Sequence, residues 1–138
     1  MRLQKNADIK QRDDTWMDNE RHNLQAYEYL CHVGEAKEWI EACIKSTISP
    51  IETLEEDMRK GIELAKLAKS FNAAAVGKIY EDTTKLKFRH SDNINFLLDA
   101  MRSIGLPEVF IFETVDLYEK KNIPKVIYCI HALRYSKA

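Results

Sequence analysis

The chain has 138 residues, 45% of them hydrophobic, with 21 basic and 22 acidic side chains and a formal net charge of −1. That length and apolar share fit one globular domain around a single core. Near-neutral charge argues against a chain-wide nucleic-acid surface, which is ordinarily strongly basic, and no apolar run approaches the roughly 20 residues of a membrane-inserted span.

With 4 Gly and 3 Pro, long helices are accommodated more easily than many tight-turned strands. The opening residues, MRLQKNADIKQRDD, are polar and without periodicity. They are expected to fray, and they carry charges where a secretory signal needs an apolar stretch. A helical pattern begins near Thr15 and runs to Cys31, marked by Trp16, Leu24, Tyr27 and Leu30, and Gly34 is expected to interrupt it. A stronger helix follows. Ala36, Trp39, Ile40, Cys43 and Ile44 recur at i, i+3, i+4, i+7 and i+8, which assigns Trp39 to the core. Glu35, Lys37, Glu38, Glu41 and Lys45 form the solvated face of that helix.

Pro50 ends the next loop, and Thr53 with Glu56 reads as a capping box. Leu54, Met58, Ile62, Ala65 and Leu67 continue an apolar face, with Gly61 expected to divide it into a short helix and a second one. The segment from Asn72 to His90 is irregular and reads as a loop with one or two turns. Ser91 reads as the cap of a helix that turns Ile94, Leu97, Leu98, Met101 and Ile104 inward and closes at Gly105 and Pro107. A short apolar piece, VFIF, leads to the approach VDLYEKKN and a last helix. There Asn122 is the N-cap, Pro124 lies in the first turn, and Ile123, Val126, Ile127, Ile130 and Leu133 face the core. Tyr118 and Tyr128 are expected to pack. No segment alternates with period two long enough to propose a sheet, so the fold class is all-α.

The motif inventory offers no chemistry. There is no Gly-rich phosphate loop, no G-x-S-x-G and no H-E-x-x-H, so neither an enzyme nor a cofactor is expected. Cys31, Cys43 and Cys129 are an odd count, read as reduced thiols rather than a disulfide framework. Cys129 and His131 are two apart on a helix and point to different sides, and no second pair completes a metal site.

Charge is unevenly placed. Residues 22–56 hold two lysines against seven glutamates, whereas residues 57–90 hold eight basic side chains against four acidic ones. Lys78, Lys85, Lys87 and Arg89 fall in or beside the irregular loop, and Lys120, Lys121 and Lys125 flank the start of the last helix. If the loop is extended, Lys85, Lys87 and Arg89 share one side. A basic face of this kind suits an acidic protein surface.

Four blocks in order, AKEWIEACI, LEEDMRKGIELAKL, FRHSDNINFLLDAMRSIGLP and VDLYEKKNIPKVIYCIHAL, together with AYEYLCH ahead of them, resemble the N-terminal calponin-homology (CH) domain of IQGAP-family cytoskeletal scaffolds, a domain of the calponin/transgelin type. The resemblance implies a compact bundle of four main helices plus short connecting helices. It also implies an N-terminal extension, partly flexible, over residues 1–20, the domain over 21–135 and a tail over 136–138. It implies a non-enzymatic module that binds filamentous actin (F-actin), in the cytoplasm at the cell cortex and division site, with the seven basic residues above as the candidate contact. The isolated domain is expected to be monomeric. Calmodulin, taken up by KVIYCIHALRYSKA, and microtubules are the alternative partners.

Overall fold

Six α-helices and two short 3-10 turns account for the regular structure of the computed structural model, which describes residues 2–79 and 87–137; no strand occurs among the described residues. The helices are α1 (Arg2–Ile44), α2 (Ile51–Met58), α3 (Ile62–Phe71), α4 (Lys87–Ser103), α5 (Thr114–Tyr118) and α6 (Ile123–Lys137), and the 3-10 turns cover Ala73–Ala75 and Glu108–Phe110. The chain divides into two compact units, Met1–His32 and Val33–Ala138.

In the first unit Trp16, Leu24, Tyr27 and Leu30 all lie exposed on the helix surface. Gly34 does not interrupt α1, which continues as helix to Ile44. A lone glycine costs a helix about 1 kcal/mol relative to alanine, too little to break one this long.

The second unit is built in layers around α4. Helix α3 packs along α4, α5 joins α4 to α6, and α2 leads into α3. The core is supplied by Val33, Ala36 and Ile40 of α1, Leu54 and Met58 of α2, Leu64 and Leu67 of α3, Ile94, Leu97 and Met101 of α4, and Val126, Ile127, Ile130 and Leu133 of α6. Phe112, just before α5, is fully buried as well.

Two glycines set the joints. Gly61 separates α2 from α3 as the pattern suggested, with φ 72°. A Cβ there would meet the Cβ of Asn93 at 2.7 Å and the Ile94 backbone nitrogen at 2.9 Å. The site therefore needs glycine both for its left-handed backbone and for the close approach of α4. Buried Asn93 completes this joint by donating from Nδ2 to the Lys60 carbonyl at 3.1 Å. Gly105, with φ 86°, ends α4: its N–H reaches the Arg102 carbonyl at 3.0 Å and the Leu106 N–H reaches the Met101 carbonyl at 3.1 Å, a Schellman closure.

Helix starts depart from the sequence reading. Helix α2 begins at Ile51 with Pro50 as N-cap, so Thr53 lies inside it and the Thr53–Glu56 capping box does not form. Helix α4 begins at Lys87, which makes Ser91 an interior residue rather than a cap. The Asn122 cap of α6 is present: its Oδ1 accepts from the Lys125 N–H at 3.3 Å. At the turn into α5 the Asp116 carboxylate accepts from the Glu113 N–H at 2.8 Å.

Candidate interaction surface

Between α5 and α6 the chain turns through Lys120, whose φ is 57°, and this turn gathers a charged cluster. Lys120 Nζ lies 2.5 Å from one Glu56 oxygen, and Arg59 Nη1 lies 2.6 Å from the other. Arg59 also donates from Nε to the Tyr118 carbonyl at 2.7 Å, with its guanidinium 5.0 Å from the centre of the Tyr118 ring. On α4 the His90 ring stands 5.7 Å from the same ring. The end of α2, the end of α5 and the start of α4 are thus held through one tyrosine and one glutamate. The Lys120 ammonium, and next the Arg59 guanidinium, hold the Glu56 carboxyl below its ordinary value.

The seven basic candidates fall into different settings. Lys78 is exposed after the 3-10 turn. Lys85 lies outside the described residues, and of Lys87 the backbone is described, as the first residue of α4. Arg89 is half-buried within α4. Because Lys87 and Arg89 are helical, the alternation expected of an extended strand does not apply to them. Lys120 is engaged by Glu56, and exposed Lys121 lies 3.5 Å from Glu119. Lys125 is half-buried and lines an open hollow of about 300 Å³ with Val109, Phe110 and Tyr128. Arg59, which anchors the cluster, stood outside the candidate set; its i, i+3 spacing from Glu56 is the signal that marks it.

Two aromatic assignments change. Trp39 is half-buried and lines a surface hollow with Glu35, Glu38, Ala42 and Arg134. Ile40, one residue or about 100° further round α1, takes the core position instead. Tyr128 is 52% exposed and lines the rim of the Lys125 hollow. Glu41, expected on a solvated face, accepts from Lys37 Nζ and from the Ile48 N–H, both at 3.0 Å, and so closes the loop between α1 and α2.

Burial pushes the Cys129 thiol up to about 11, and its Sγ rests 3.5 Å from the Met101 sulfur. Burial raises Cys43 as well, and all three cysteines are free. Among the described residues no helix is long and apolar enough to cross a membrane.

Comparison with known proteins accords with this architecture. The calponin homology (CH) domain model matches residues 30–137. The Ras GTPase-activating-like protein rng2 of Schizosaccharomyces pombe is 53% identical over 116 residues, covering 84% of this chain and 8% of the relative. The human Ras GTPase-activating-like protein IQGAP3 is 52% identical over 126 residues, covering 85% of this chain and 8% of its own length. The chain therefore spans about 8% of the length of these curated relatives. The solved CH domain of an IQGAP protein from S. pombe superposes with a TM-score of 0.74 at 54% identity, covering 81% of this chain and 70% of that one. An all-helical bundle, a family match across most of the chain and a closely similar solved domain agree: the chain belongs to the calponin homology domain family, in the form carried by IQGAP proteins.

Proposed function

We propose that this domain is a non-catalytic module that binds the side of actin filaments, within an IQGAP-like scaffold that organises cortical actin and the contractile ring during cytokinesis. Membership of the calponin homology family is the observation that carries the reading. Exposed Lys78 and Lys121 support it, since both present charge to solvent on a chain of near-neutral total charge. Long-range attraction to an acidic filament speeds encounter and sets orientation, while the apolar rim of Val109, Phe110 and Tyr128 beside Lys125 supplies short-range contact.

The calmodulin alternative requires α6 to leave the bundle. Val126, Ile127, Ile130 and Leu133 are all at 1% exposure or less. Exposing four such side chains costs about 6–12 kcal/mol, comparable to the whole stability of a small domain. That cost disfavours the alternative.

Cosedimentation of the chain with actin filaments and, in parallel, with microtubules at low and high salt tests the proposal. Pelleting with actin that weakens as salt rises is expected, because exposed charges are screened over about 8 Å at physiological ionic strength. Pelleting with microtubules alone would transfer the site to the other polymer, and pelleting with neither would remove the function.

A further inference from the structure

The helical unit Met1–His32, whose last residues fall within the family match, carries an exposed apolar stripe. Trp16, Met17, Leu24, Tyr27 and Leu30 are 64, 55, 57, 67 and 53% exposed. At about 100° per residue they fall, with exposed Cys31, within roughly 140° of one helix face. Met17, Leu24 and Cys31 are spaced by seven with Tyr27 between them, the repeat of a helix seam that meets another helix. Over sixteen residues this stripe is about 22 Å long. A helix whose large apolar side chains stay in water is not stabilised by its own propensity; it needs a partner surface.

We propose that this stripe is a self-association surface, and that its occupant is the same stripe of a second copy of the chain, in place of the monomer expected from sequence. The area is sufficient. A large side chain offers on the order of 200 Å² when free, so the five exposed residues present roughly 600 Å² per copy. Two copies would bury about 1,200 Å², the lower bound of specific interfaces. The surface is also suited to pairing with itself: apolar residues stand at both ends of the stripe, and both charge signs stand beside it, with Arg21 and Glu28 at its edge. Glu20 and Asn23 lie on the stripe and interrupt it, which keeps the association reversible rather than permanent. Two joined copies carry two copies of whatever site residues 33–138 hold. The inference does not rest on the actin reading.

Sedimentation equilibrium of the 138-residue chain from about 10 μM to 1 mM, a range that spans moderate to weak affinities, tests it. Three proteins are compared: the unaltered chain, a Leu24→Lys/Tyr27→Lys pair on the stripe, and a His22→Lys/Gln25→Lys pair on the opposite face. The unaltered chain and the opposite-face pair should rise toward twice the monomer mass, while the stripe pair stays monomeric with its thermal transition retained. An unaltered chain that stays monomeric throughout, or a stripe pair that dimerises like it, overturns the proposal.

Discussion

Gly61 shows how a single residue sets the joint between two helices. A side chain at Gly61 is refused twice, once by the φ of 72° and once by Asn93 and Ile94 within 3 Å. Gly61→Ala should lower stability by more than the about 1 kcal/mol of an ordinary positive-φ substitution, in the range of about 2–4 kcal/mol by urea unfolding. Trp39→Ala should cost less than the about 3–5 kcal/mol of a fully buried tryptophan, since part of its surface is already in water. A loss as large as that of Leu64→Ala, whose side chain is fully buried, would put Trp39 back in the core. Periodicity gives an arc of a helix but not its centre, and here the centre runs through Val33, Ala36 and Ile40. Helix spacing marks Arg59 for Glu56 and Lys37 for Glu41, but the ties to Lys120 and to the Ile48 N–H were not legible, because those partners lie at distances along the chain that no local spacing encodes.

At the scale of elements, the helices of the second unit were legible because their apolar faces repeat with the helical period, and the stops at Gly61 and Gly105 because glycine alone suits their backbone. The starts were less so. Pro50 and Lys87 head α2 and α4, whereas the capping signals at Thr53 and Ser91 stand inside the helices. Side chains that cap in isolation are overruled where packing extends the helix. The loop between α1 and α2 depends on the Glu41 carboxylate. Lys37, and then the Ile48 N–H, hold its pKa below the ordinary value. With the folded value below the unfolded one, its stabilisation is present above the unfolded carboxylate pKa of about 4.3 and is lost as pH falls through the folded value. Melting temperature measured from pH 7 down to pH 2 should therefore fall less steeply for Glu41→Gln than for the unaltered chain. Identical slopes would deny the loop its tie. At the other end of the unit, Asn122→Ala should remove the α6 cap and about 1 kcal/mol, read from chemical unfolding.

The whole molecule joins a firmly specified bundle to a surface whose role is carried by charge and family. Four ordered helix blocks made the family legible from sequence, and the solved IQGAP domain accords with them. The basic patch was legible only as a count of lysines, because pairing with Glu56 and Glu119 depends on the fold. The central claim is that basic residues on the surface of the domain, exposed Lys78 and Lys121 among them, drive attachment to actin. Its most direct test is F-actin cosedimentation of three proteins at one low salt concentration: the unaltered chain, a Lys78→Glu/Lys85→Glu/Lys87→Glu variant, and a Lys120→Glu/Lys121→Glu/Lys125→Glu variant. Thermal unfolding would be followed for each, since surface charges contribute little to stability. The account predicts that the unaltered chain pellets and that at least one reversal abolishes pelleting while its cooperative melting persists. Equal pelleting by all three proteins, or no pelleting by the unaltered chain, would contradict it.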